Sequence, residues 1–218
     1  MKKILLISAV LLMLASFGSA AMQDLKIYSG WNIIPGGTSA GQINDSKVFG
    51  NAKYVWVYSP LDNKYYGGSL TVNGSVNGTS LPSNLYSNDS YLIPNEVGTG
   101  TWMYFSSPIT LTINTDYSNS SSFLEKKLFK GWNFLSITQA MVNSGLNLND
   151  FFKNCTLQGV YAWYPETQSW GNNAVTNGAV SADKLTQTMV GMTFVARVTS
   201  DCQLSGTPIV PNAPQLPA

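Results

Sequence analysis

The tripeptide Gly-Trp-Asn occurs twice, at Gly30-Trp31-Asn32 and at Gly131-Trp132-Asn133. The flanks correspond as well. Asp24 and Glu125, Lys26 and Lys127, and Tyr28 and Phe129 fall at the same offsets, and an apolar run follows each Asn. A stretch repeated at fixed offsets constrains the chain to two copies of one unit, each folded around the same point.

The order of signals after each tripeptide agrees. Asn44-Asp45 and Asn149-Asp150 precede short stretches, Ser46 to Phe49 and Phe151 to Asn154, that read as single helical turns with Asp45 and Asp150 as caps. Aromatic-rich strands follow, Tyr54 to Tyr58 and Val160 to Tyr164, each running into a polar turn begun by Pro60 or Pro165. Asn73-Gly74 and Asn177-Gly178 are two-residue hairpin signals, because both residues accept positive backbone angles. Later strands are expected at Thr101–Phe105, Ile109–Ile113 and Met192–Val198, with a weaker one around Cys202. The expected fold is all-β: two tandem antiparallel β-sandwich-like domains from an internal duplication, each with one short helical turn. The expected boundaries are 1–20 signal peptide, 22–114 first domain, 115–123 linker, 124–205 second domain and 206–218 tail. The polar linker would let the domains reorient as neighbours.

The signal peptide rests on Lys2-Lys3, the apolar run Ile4 to Leu14 and the small residues that end at Ala20. The chain is therefore expected to be secreted or held at a cell surface, and it shows no run long enough for a transmembrane anchor. Without Lys2 and Lys3, the 12 Lys and Arg become 10 against 11 Asp and Glu, and Arg197 is the only arginine. Scattered lysines give no basic face for nucleic acid. Histidine is absent, which removes the commonest general base and metal ligand, so no metal or cofactor is expected. Cys155 and Cys202 are expected to form a disulfide in an oxidising compartment. Pro208, Pro211, Pro214 and Pro217 are spaced for one edge of a polyproline helix, or belong to an unpacked tail.

Trp31 and Trp132 are expected to fill the two cores, with Asn32 and Asn133 tying down the adjoining turns. Matching Tyr58 to Tyr164 sets Trp56 against Ala162 and Trp163 against Val57, which places the two tryptophans on opposite sheet faces. Trp170, Tyr65 and Tyr66 flank the hairpin turns and are the candidates for exposed rings that stack on sugars. The competing reading is cross-strand aromatic pairing. Asp62, Glu96, Asp150 and Glu166 are available as an acid–base pair, but three of them fall at positions that local structure already explains, and no Gly-x-Ser-x-Gly elbow occurs. Six Asn-x-Ser/Thr sequons are present, at Asn44, Asn73, Asn77, Asn88, Asn119 and Asn154.

The order of Gly-Trp-Asn, apolar strand, aromatic strand, hairpin and late strand (Gly98-Thr-Gly-Thr-Trp102, or Gly191-Met-Thr-Phe194) is similar to the "GWN-L-I-S" β-repeats of secreted and cell-surface proteins of archaea and bacteria. The resemblance covers about residues 24–113 and 125–205 and implies β-rich, non-catalytic building blocks. The second copy departs from it by lacking the Gly-x-Gly and by carrying the cysteines. The chain is thus expected to be an exported, non-enzymatic structural or adhesive module, whose partners are other surface proteins or further copies of itself. The alternative is a carbohydrate-binding module that uses the exposed aromatics, and a carboxylate-based glycan-active enzyme stands third.

Overall fold

A computed structural model describes residues 22–35, 46–71, 76–79, 100–114, 126–180 and 183–205. The expected signal peptide, Asp45, Asn73-Gly74, Glu96, the linker and the Pro-rich tail lie outside the described residues, as do the sequons at Asn44, Asn73, Asn88 and Asn119.

The N-terminal half contains β1 (Met22–Ile27), β2 (Gly30–Pro35), α1 (Ser46–Asn51), β3 (Ala52–Ser59), β4 (Lys64–Leu70), β5 (Val76–Thr79), β6 (Gly100–Phe105) and β7 (Ile109–Asn114). The C-terminal half contains β8 (Lys127–Leu128), β9 (Gly131–Ser136), α2 (Gln139–Asn143), α3 (Leu148–Phe151), β10 (Leu157–Tyr164), β11 (Ser169–Trp170), a 3-10 turn at Gln187–Met189, β12 (Thr193–Val198) and β13 (Cys202–Gln203). The fold is all-β and every strand pairing is antiparallel. Sheet I has the order β2-β6-β3-β4-β5 and sheet II the order β9-β12-β10-β11, while β1-β7 and β8-β13 form two-stranded ribbons. Apart from β5, which has no counterpart among the described strands of sheet II, the two orders correspond strand for strand. No helix among the described residues is long and apolar enough to cross a membrane.

The Gly-Trp-Asn stretch forms the corner where each ribbon strand turns into its sheet. Gly30 and Gly131 have φ of +101° and +103°, a region costly for any residue with a Cβ. The buried Asn then closes the corner. Asn32 Nδ2 donates to the carbonyls of Tyr28 (2.7 Å) and Gly30 (3.1 Å), and its Oδ1 accepts from the Tyr28 amide at 2.9 Å. Asn133 repeats all three bonds, to Phe129 O at 2.8 Å, to Gly131 O at 3.1 Å and from Phe129 N at 3.0 Å. A carboxamide suits this place because it donates and accepts at once.

Alternation along the strands then separates two layers. Ile34, Met103 and Phe105 face the first ribbon with Ile27, Leu111 and Ile113. Leu135, Phe194, Ala196 and Val198 face the second ribbon, Phe151 and Phe152. The opposite faces of the two sheets meet each other through Ile33, Phe134 and Val195, with Tyr58, Trp102, Trp132, Tyr161 and Trp163 packed around them. Trp31 and Trp132 therefore belong to neither half's own core, contrary to the sequence expectation. They sit half-buried on the face turned toward the other half, one residue out of phase with the buried Asn.

Polar contacts also join the halves beside this layer. Gln168 Oε1 accepts from the Trp31 amide at 2.7 Å, Thr193 Oγ1 donates to Ile33 O at 2.9 Å, and Gln23 Nε2 donates to Val190 O at 2.9 Å. The halves are thus fastened along a shared aromatic face.

Two smaller expectations also change. The C-terminal half has two short helices, not one. The cap of α3 is Asn147, not Asp150: Asn147 Oδ1 accepts from the Asp150 amide at 2.9 Å, and Asp150 Oδ2 accepts from the Asn147 amide at 3.2 Å. This reciprocal box starts the helix a turn earlier than the sequence suggested. The second hairpin signal behaves as expected, with Asn177 at φ 53° and Gly178 at φ 81° between the bridged Thr176 and Ala179. Cys155 and Cys202 form a disulfide with Cα atoms 5.4 Å apart, tying the chain after α3 to β13.

Candidate functional site

Strand pairing fixes which residues of the two halves are equivalent. Ser59 pairs with Lys64 at the first hairpin, and Tyr164 with Ser169 at the second. Tyr164 therefore matches Ser59, one position away from the match that the Tyr-to-Tyr alignment suggests. The register across the sheets agrees: Trp56 faces Trp102 on β6, Tyr161 faces Val195 on β12, and Trp102 and Val195 face Ile33 and Phe134. The equivalent pairs are Trp56 with Tyr161, Tyr58 with Trp163, and Tyr65 with Trp170. Trp56 and Trp163 consequently lie on the same kind of face, not on opposite faces as the sequence alignment implied.

Two clefts open along the aromatic layer. Cleft A has a volume of about 640 Å³. Trp132, Phe134, Tyr161 and Val195 of sheet II form its floor, and Tyr58, Asn63 and Tyr65 reach over from the first hairpin, with Trp170 alongside. Cleft B has about 470 Å³. Trp31, Trp56 and Trp102 of sheet I form its floor, and Trp163 and Trp170 reach over from the second hairpin. Each cleft is one half's sheet covered by the other half's hairpin. All six tryptophans of the chain line one cleft or the other.

Tyr65 and Trp170 border both clefts, 49% and 44% exposed. Each is also the outer member of a cross-strand pair, Tyr58–Tyr65 with centroids 5.1 Å apart and Trp163–Trp170 at 5.2 Å. Pairing and exposure are thus properties of the same rings: one face braces the hairpin and the other meets solvent.

Tyr66, the third ring proposed from sequence, is not part of this surface. It is 7% exposed, and its hydroxyl donates to the Asp62 carboxylate. It follows Tyr65 on β4, so alternation turns it to the opposite face. Its phenol is raised above the ordinary range, by that hydrogen bond first and then by burial. Burial opposes the charge on Asp62, but the hydroxyls of Tyr66 and Ser59 and the Lys64 ammonium outweigh it, so the carboxyl lies below its ordinary value of 3.8. Asp62 is a hairpin staple.

The hairpin tips carry the polar groups of the site. Asn63 and Gln168, at equivalent positions, have left-handed φ of 56° and 51°. Gln168 reaches the open edge of β2, where its Nε2 also donates to Trp31 O at 3.0 Å beside the Trp163 indole N–H, again at 3.0 Å. Asn63 is one methylene shorter and accepts from the Tyr58 hydroxyl at 2.8 Å instead. The Tyr58 phenol is raised by burial and by Tyr65 and Asp62, and Arg197 pulls against them. The Tyr65 phenol is raised by burial. Tyr28 is raised by a hydrogen bond to Glu166 of the second hairpin.

No Asp or Glu is among the residues that line either cleft, and no group of three His, Cys, Asp or Glu among the described residues could hold a metal. Arg197 had no assigned role in the sequence reading. Its guanidinium lies over the Trp132 ring at 5.6 Å, and Trp132 lines cleft A. The available signal was its being the chain's only arginine, on a strand where alternation sets it on the same face as Val195. No protein-family model, curated protein or solved structure gives a match to this chain.

Proposed function

We propose that the chain is an exported, non-catalytic adhesive module that binds a saccharide in cleft A. One observation carries the reading. Tyr65 and Trp170, at equivalent places on two hairpins, expose flat ring faces beside a 640 Å³ aromatic cleft. Sugar rings present apolar C–H faces and a rim of hydroxyls, so they suit aromatic walls with a few polar groups at fixed positions. Asn63 and the hydroxyls of Tyr58 and Tyr65 provide such groups.

The disulfide and the signal-like start support an extracellular site. The matching strand orders support a duplicated pair of the Gly-Trp-Asn type, in which one pair of faces fastens the halves and leaves the clefts at its edge. A cleft bordered by aromatics and free of carboxylates fits binding better than hydrolysis of a glycosidic bond, which needs two carboxyl groups roughly 5–10 Å apart.

The test is retention of the mature protein on insoluble polysaccharides and on a glycan array. Trp170→Ala and Tyr65→Ala should each weaken binding at least tenfold while leaving the thermal transition nearly in place. If no glycan retains the wild type, or if retention is unchanged in Trp170→Ala, the reading is wrong.

A further inference from the structure

We infer that cleft A selects a sugar bearing a carboxylate, such as a uronic acid, with Arg197 as the anion partner and Trp170 and Tyr65 as the stacking faces. The inference rests on the saccharide reading of cleft A and adds the class of sugar.

Arg197 is exposed on β12, directly across the strand pair from Trp132. Its guanidinium carbon lies 5.6 Å from the centroid of the Trp132 ring. An exposed guanidinium held there keeps an edge of N–H donors open to a ligand. A carboxylate is the group whose geometry matches that edge with two parallel hydrogen bonds. Among the described residues no Asp or Glu takes this position, and the residues lining the cleft below include none. The charge is felt inside the cleft, since Arg197 favours the ionised form of the Tyr58 phenol against burial and its acidic neighbours.

The rest of the lining narrows the ligand further. An aromatic box would otherwise suit a quaternary ammonium, but a cationic ligand would stand against the Arg197 charge. A simple aliphatic ligand would leave the guanidinium unused. A sugar ring with an acidic substituent uses both parts: its C–H face meets the rings and its carboxylate meets the fork. Cleft B has the same aromatic plan without the charge. There Tyr104 stands at the position equivalent to Arg197, and Trp102 takes the place of Val195 and fills space. A neutral, tighter cleft and a charged, roomier one have been made from the same strands.

The probe is a panel of uronic-acid oligosaccharides (oligogalacturonate, glucuronate-containing and mannuronate oligomers), each compared with the same oligomer methyl-esterified at its carboxylates. Polyglutamate serves as a carboxylate polymer without sugar rings. Affinity is read by titration calorimetry at low and moderate salt. The expected result is binding of at least one acidic oligomer, at least tenfold tighter than its ester. Arg197→Gln should erase the preference, Arg197→Lys should keep only part of it, and Trp170→Ala should weaken acid and ester alike. Equal affinity for acid and ester in the wild type overturns the acidic selectivity and leaves the saccharide reading standing. Polyglutamate binding as tightly as the oligomers, and indifferent to Trp170→Ala, reduces Arg197 to a surface charge and also overturns the inference. Retention of neutral glycans alone has the same consequence, and failure to bind any saccharide overturns the saccharide reading with it. The acid-versus-ester comparison needs no variant, so misfolding of a mutant cannot obscure the answer.

Discussion

Clefts A and B occupy equivalent places, yet the strand edges beside them are treated differently. At β2 the outward-facing backbone of Trp31 and Ile33 is taken up by side chains of the other half: Gln168, the Trp163 indole and Thr193. The equivalent positions facing β9 are Asn63, Tyr58 and Gly100. Asn63 is too short to repeat the Gln168 bonds and turns to Tyr58, and Gly100 has no side chain to donate. Three local substitutions thus make one edge a sealed joint and leave the other bordering a cavity. Two places of similar strand order thus differ in how the open strand edge beside them is met.

The largest expected break in the comparison is at the disulfide, which only the C-terminal half has. Closing a loop with a sequence separation of 47 should be worth about 4 kcal/mol on the chain-entropy model. Cys155→Ser with Cys202→Ser, followed by urea unfolding, should show that loss in the transition of the C-terminal half. Tryptophan fluorescence from the shared layer should follow it, because removing sheet II uncovers cleft B. A loss confined to far-ultraviolet dichroism, with the layer intact, would mean that the halves are held by something other than the contacts described.

Next in size are the two corner asparagines. Asn32→Ala and Asn133→Ala each remove three backbone hydrogen bonds at a buried turn, at an expected cost of about 2–4 kcal/mol. Equal losses in chemical denaturation would support equivalence of the two corners. Trp31→Ala and Trp132→Ala should cost less than their Asn neighbours, about 1–3 kcal/mol, because both rings are half-buried. Trp132→Ala should in addition abolish binding in cleft A.

The all-β class, the strand sequence, the disulfide and the repeated corner follow from local signals, because turns, alternation and paired cysteines are written in short stretches. The role of the tryptophans was not legible in the same way. A large apolar ring after Gly reads as core, but the register of β2 and β9 hands the buried position to Asn32 and Asn133. Tyr65 and Trp170 were found from their place beside the turns. Tyr66 was misassigned because adjacent aromatics on a strand look alike until one knows which face is covered. The match of Trp56 with Tyr161 depends on loop closure at Ser59–Lys64 and Tyr164–Ser169, which an alignment of tyrosines slides by one. Arg197 acquires meaning only once Trp132 is beneath it.

An exchange between the clefts sharpens the comparison at moderate size. Val195→Trp should fill cleft A as Trp102 fills cleft B, weakening saccharide binding tenfold or more, about 1.4 kcal/mol. The reverse exchange, Trp102→Val with Tyr104→Arg, should open cleft B and place a cation on its rim. Calorimetry should then find a second, weaker acidic-sugar site in that variant. If the doubled variant keeps one site at full strength and gains none, the volume and charge differences do not decide selectivity, and the covering hairpins do.

The smallest effect separates the hairpins themselves. Asp62 is held below its ordinary value by the hydroxyls of Tyr66 and Ser59 and by Lys64, acting against burial, whereas the equivalent Thr167 of the second hairpin shares a neutral bond with Ser169 at 2.7 Å. A carboxyl whose pKa is depressed on folding binds its proton more readily in the unfolded chain. Its contribution is therefore fully present above the unfolded value, near 3.9, and is lost as pH falls through the lower folded value. Stability measured from pH 5 down to pH 2 should decline in the wild type and decline less in Asp62→Asn. Thr167→Ala should leave that slope unchanged. Because Asn63 and Tyr65 sit on the same hairpin, saccharide binding in cleft A should fade over the same acid interval, partly through the hairpin and partly through the ligand's own carboxylate, and the Asp62→Asn protein should lose less of it. Parallel acid loss in the wild type and in Asp62→Asn would place the sensitive carboxylate on the ligand rather than in the hairpin.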